Sequence, residues 1–180
     1  MERLKLATAW LGGCSGCHMS FLDMDEWLFE LAERADIVYS PFQDIKTFPD
    51  GVDVTLIEGA VANEDHLEQL ALIRRRSRII VSFGDCAVTG NVTALRNPLG
   101  KAQPVLHRSY VELATVNPAI PAQVGVLPRL LDRVWPVHEV VHADYYIPGC
   151  PPPAERIRHL LEDLLAGRKP RLEGTELKFG

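Results

Sequence analysis

Short, nearly unbroken apolar runs separated by segments of helical period dominate this chain, and they restrict its fold more than any other feature. Leu4 to Trp10, Val52 to Ile57 and Arg78 to Phe83 read as strands buried on both faces, with a shorter one at Asp36 to Ser40 stopped by Pro41. Between them, Ser20 to Glu33 carries Phe21, Leu22, Trp27, Leu28 and Leu31 at helical spacing. Asn63 offers an N-cap to a helix running to Arg76. Val140 to Ile147 reads as a fifth strand, and Pro153 to Ala166 as a closing helix that stops at Gly167. Strands without polar alternation need cover on both sides. The pattern predicts an α/β fold: a doubly wound, flavodoxin-like parallel sheet with helices on both faces.

The 180 residues suit a single domain over 1–180, long enough to bury about 70% of its unfolded surface. With 47% hydrophobic and 24% charged residues the chain reads as an ordinary globular protein. Its net charge of −5 offers no basic excess for nucleic acid. No stretch approaches the roughly 20 apolar residues of a membrane span. The start, MERLKLATAW, has neither a twin arginine nor an apolar leader, so a cytoplasmic location is expected. Residues 97–136 depart from the pattern, with six prolines and little periodicity. They are read as an ordered, partner-facing insertion, since long structureless loops are uncommon in compact domains.

Each of the four cysteines follows a predicted strand. Cys14 and Cys17 follow the first, Cys86 the fourth and Cys150 the fifth, while Glu58 ends the third. In a parallel sheet these loops emerge together at the carboxyl edge, where open α/β folds bind ligands. Four thiols in a reducing compartment point to metal or redox chemistry rather than disulfides. A zinc module held by the four cysteines is one reading, although zinc ribbons usually supply two paired knuckles and this chain has a single Cys-x-x-Cys. A dithiol pair would use only Cys14 and Cys17. An iron–sulfur cluster uses all four, and the Cys150-Pro151 step recurs in ferredoxin-type ligation. Gly12, Gly13, Gly16, Gly84 and Gly149 crowd the cysteines, leaving room for backbone N–H groups near sulfur.

The segments WLGGCSGCHMS, LIEGAV, FGDCAVTGN and YYIPGCPP, in this order from Leu6 to Pro152, are similar to the small, electron-transferring subunit of [NiFe] hydrogenases. That resemblance implies that Cys14, Cys17, Cys86 and Cys150 ligate one proximal [4Fe–4S] cluster. Standard small subunits are longer, with further cysteines for other clusters. This chain ends about 30 residues past its fourth cysteine, which resembles the cytoplasmic, bidirectional NAD(P)-reducing type. The partners so implied are a nickel–iron large subunit, where hydrogen is split, and diaphorase subunits carrying FMN and further clusters. Gly13 stands where many relatives have glutamate, and Asn91 where a second glycine is usual. The alternative on the same fold is the cluster-bearing subunit of a complex-I-like quinone reductase. There the first two cysteines are adjacent, whereas Ser15 and Gly16 separate them here.

Among the remaining residues, Ser15 and Glu58 match family positions on a proton path. Each also has a plain structural role open to it, as loop closure through the serine hydroxyl or as a cap for backbone N–H groups. His18 is expected at the surface or an interface. His138 and His142 have helical metal-pair spacing but fall in or before a strand, so no site is expected there. The run Arg74, Arg75, Arg76 and Arg78 suits a helix end. Trp10 and Trp27 are expected in the core. FMN in this chain is disfavoured, because two cysteines fill the loop where flavodoxins bind phosphate.

Overall fold

The computed structural model describes residues 3–179. Five strands form the main sheet: β1 (Leu4–Trp10), β2 (Ala35–Tyr39), β3 (Val52–Glu58), β5 (Ser77–Phe83) and β7 (Tyr145–Ile147). Their order is β2-β1-β3-β5-β7, with every neighbouring pair parallel. Renumbered within the sheet, this is the flavodoxin-like order 2-1-3-4-5, whose switch point lies between β1 and β3. Two helix layers cover it. Leu6, Val54, Leu56, Val81, Phe83 and Ile147 pack against α1 (Gly16–Leu22), α2 (Trp27–Arg34) and α6 (Ala154–Leu165). Ala7, Ala9, Ile57 and Ile80 face α3 (Glu64–Arg76) and α4 (Asp85–Thr89). Alternate residues of each strand thus bury on opposite sides, each fully buried Leu, Ile or Phe contributing about 1.5–3 kcal/mol. Asn63 caps α3 as expected, accepting from His66 N–H at 2.9 Å, and Gly167 follows α6 with φ 69.

Several expectations need correction. The single helix over Ser20 to Glu33 is two helices, α1 and α2. The chain turns between them at Asp25, whose backbone takes a positive φ of 47. The fifth strand is only Tyr145–Ile147. Asp144 ends the preceding turn by bonding both ways to Ile80: its N–H donates to the Ile80 carbonyl, and its carboxylate accepts from Ile80 N–H, both at 2.8 Å. Val140 and Val141, partly buried, follow a short helical turn over Val137–Glu139 rather than opening the strand, since burial alone does not separate strand from turn.

Residues 97–136 contain structure that periodicity missed. A helical turn over Asn91–Leu99 leads to α5 (Gln103–His107), and β6 (Leu130–Trp135) pairs antiparallel with β4 (Val61–Asn63) as a second, small sheet. Asn97 fastens this region, its amide exchanging bonds of 2.9 and 2.8 Å with the Val134 backbone. Trp27 is in the core, but Trp10 is 45% exposed because it is the last residue of β1, at the sheet's carboxyl edge. The arginine run does end a helix. Arg74 reaches Asp144, and Arg76 reaches Asp50, so these two guanidinium groups brace neighbouring loops.

Candidate metal centre

All four cysteines lie at the carboxyl edge, and backbone bonds stitch their loops together. The loops after β1 and β3 are joined by Gly12 N–H to Ala60 O (2.9 Å) and Ala60 N–H to Gly12 O (2.8 Å). The loops after β5 and β7 are joined by Asp85 N–H to Gly149 O (2.9 Å), while the Asp85 carboxylate accepts from Gly149 N–H (2.5 Å). Cys86 and Cys150 each follow one member of that clasp. Ser20 Oγ donates to Pro152 O at 2.5 Å, tying α1 to the Cys150 loop. Thr93 Oγ1 donates to Gly12 O at 3.0 Å, closing the ring of loops.

Within this ring Cys17 and Cys86 are buried, and Cys14 and Cys150 are exposed. Burial pushes the Cys17 thiol far up, with Glu58 and then the other three cysteines adding in the same direction. Burial also raises Cys86, opposed by the neighbouring Thr93 side chain and reinforced by Cys150, Cys14 and Glu58. Cys17 and Cys86 each sense the other cysteines, so the four thiols are neighbours. A cation bound by thiol ligands, as iron or another metal would be, favours their thiolate form. Among the described residues, no three Cys, His, Asp or Glu side chains are gathered tightly enough to share a single ion. Space is reserved as well. Gly84 (φ 84) abuts Cys17, and a Cβ there would overlap the Cys17 sulfur. The donor set and the cradle fit an iron–sulfur cluster.

Glu58 is buried at the end of β3, 1% exposed, and accepts from His18 N–H at 2.9 Å. Its Oε2 also meets His18 Nδ1, which donates to the carboxylate in the tautomer that carries a hydrogen there. His18 is therefore not a surface residue. It is fully covered, ringed edge-on by Phe42 and Phe83, because α1 turns its first-turn residues toward the sheet. Ser15 has φ 68 and closes the ligand loop, its hydroxyl donating to Cys14 O at 2.5 Å. His138 lies against Tyr146 and His142 near Asp144. Sequence reasoning missed the roles of Asp85, Asn91 and Thr93. Asp85 and Thr93 signal only a polar residue near Cys86, which many loops share, and Asn91 only a departure from the usual second glycine.

The family described as NADH ubiquinone oxidoreductase, 20 Kd subunit, matches residues 14–164. The chain belongs to that family. It is 42% identical over 169 residues to the delta subunit of the NAD-reducing hydrogenase HoxS of Cupriavidus necator, covering 92% of this chain and 80% of that one. A component of the F420-non-reducing hydrogenase of Methanothermobacter marburgensis is 36% identical over 98% of the chain, which spans 58% of that longer relative. A crystal structure of an NAD+-reducing [NiFe]-hydrogenase in the H2-reduced state contains a chain that superposes with a TM-score of 0.94. That match is 41% identical and covers 99% of this chain and 100% of the other. The similarity to hydrogenase small subunits therefore extends over the whole fold.

Proposed function

We propose that this chain is the electron-relay small subunit of an NAD(P)-reducing [NiFe] hydrogenase, with one [4Fe–4S] cluster held by Cys14, Cys17, Cys86 and Cys150. The observation that carries this reading is the clasped ring of loops that brings four thiols to one sheet edge, in a chain so similar to the HoxS delta subunit. When bound, such a cluster takes up and releases one electron at a time. The chain's own residues hold and shape the site. Gly84 leaves room beside Cys17, and the Asp85–Gly149 clasp fixes the spacing of Cys86 and Cys150. The Glu58–His18 pair forms a buried hydrogen-bonded contact beside Cys17, and Ser15 places a hydroxyl in the loop between Cys14 and Cys17. Glu58 and Ser15 are the residues assigned to proton handling.

A surface for the nickel–iron large subunit surrounds the exposed cysteines. Trp10, Met19 and Val92 are 45%, 52% and 60% exposed at or beside the cysteine loops, apolar side chains that a partner would cover. The proline-rich insertion adds Leu113, Val116 and Val124, all exposed. Electrons then pass to a flavin-bearing diaphorase. Among the described residues no helix is long and apolar enough to cross a membrane. A cytoplasmic site for the complex is part of the same proposal. Purification through a tag on this chain, followed by assay for hydrogen-dependent NAD(P)+ reduction, tests the reading. Recovery of quinone-reductase subunits without hydrogenase activity would instead favour the complex-I-like reading that the family description also accommodates.

A further inference from the structure

The segment after Cys86 contains two consecutive residues with positive φ, Gly90 at 88° and Asn91 at 36°. At the first the fold requires glycine, since a Cβ would come within 2.7 Å of the Ala94 Cβ. The second is asparagine, one of the few side chains that tolerate this region, but a glycine would adopt it with less strain. Local bonds hold the backbone there. Asn91 N–H donates to Thr89 Oγ1 at 3.3 Å, and that hydroxyl donates to Asp85 O at 2.9 Å. The result is that Asn91 Nδ2 lies 3.4 Å from the Cys150 sulfur, an N–H···S bond joining the Cys86 loop to the Cys150 loop.

We propose that Asn91 is a potential-setting positioning residue: its side-chain amide donates to the Cys150 sulfur and raises the reduction potential of the cluster bound there. The inference rests on the reading that Cys150 is a cluster ligand. A hydrogen bond to a group that gains negative charge is stronger in the reduced state, so the donor favours reduction. One electron enters, no covalent bond forms or breaks, and the amide keeps its protons. Cys150 is exposed in the free chain, where water can solvate its sulfur. Once a partner subunit excludes that water, the neutral amide is the donor that remains. An uncharged donor on a short side chain also fixes the sulfur without adding a titrating group at the edge.

The test compares the intact complex carrying wild-type chain, Asn91→Asp or Asn91→Gly. Asn91→Asp keeps the shape and replaces the donor by an anionic acceptor. Asn91→Gly removes the donor and relaxes the backbone, so it folds at least as readily. Iron per chain and an EPR-monitored redox titration are measured for each. Both variants are expected to keep full iron and to shift the midpoint downward. At a fixed solution potential the reduced-to-oxidised ratio should fall by about tenfold, which is about 59 mV for one electron. An unchanged midpoint in both variants with full iron would overturn the inference. So would loss of iron in both, which would make Asn91 a structural brace alone. A wild-type chain without a cluster would overturn the underlying reading of Cys150 instead.

Discussion

Replacing Gly84 by alanine probes the cradle at its tightest point. Gly84 has φ 84 and ψ 162, a region essentially reserved for glycine, where a side chain costs about 1–3 kcal/mol. The added Cβ would also overlap the Cys17 sulfur, which is buried and cannot swing aside freely. Such overpacking costs about 1–3 kcal/mol more. Gly84→Ala should therefore destabilise the apo chain by about 2–6 kcal/mol, a large part of the roughly 5–15 kcal/mol typical of a domain. With a urea slope of about 2 kcal/mol/M, the unfolding midpoint falls by about 1–3 M. Because relief comes mainly by moving Cys17, iron per chain in the co-purified complex should drop in the same variant. Urea unfolding and iron analysis read the two effects separately. Wild-type values in both would show that Cys17 does not sit against Gly84, and the cradle would be refuted.

Cys86→Ser and Cys150→Ser should each remove most of the iron and the EPR signal, although neither belongs to the Cys-x-x-Cys pair; full iron in either would break the convergence of the four loops. Burial lowers the proton affinity of His66, whose Nδ1 accepts from Ala62 N–H at 3.2 Å. A depressed folded value means that its stability is present above about pH 6.5 and lost as pH falls below it, so Tm should drop between about pH 7 and 5, and less so in His66→Gln. Expressed alone, the chain exposes the apolar edge around Trp10, Met19 and Val92. Solubility and iron per chain should both rise on co-expression with the large subunit, and a soluble, air-stable, iron-replete monomer would contradict an obligate partner.

The sheet is legible in the sequence because its strands are buried on both faces, which leaves near-continuous apolar runs such as Val52 to Glu58 and Ser77 to Phe83. Their loops follow from topology, and with them the gathering of the four cysteines. What escapes is decided by single side chains in tertiary context. Asp144 cuts the fifth strand to three residues by occupying the Ile80 backbone, a contact 64 residues distant in sequence. Asp25 splits one expected helix through a positive φ that its neighbours do not foretell. β4 has only three residues, and its partner lies beyond a proline-rich stretch, so no alternation marks it. In sequence His18 reads as a surface or interface residue. Its burial depends on Glu58, delivered by a different strand. Likewise Asn91 reads as a local loop change, and only the folded chain puts the Cys150 sulfur beside its amide.

Native mass spectrometry of this chain, released from its co-purified complex without oxygen, measures most directly what the four cysteines hold. The expected spectrum is the polypeptide mass plus one cluster of four iron and four sulfide, lost when Cys86 is replaced by serine. A mass increment of a single zinc ion, or a metal-free chain from a complex that still reduces NAD(P)+ with hydrogen, would contradict the assignment.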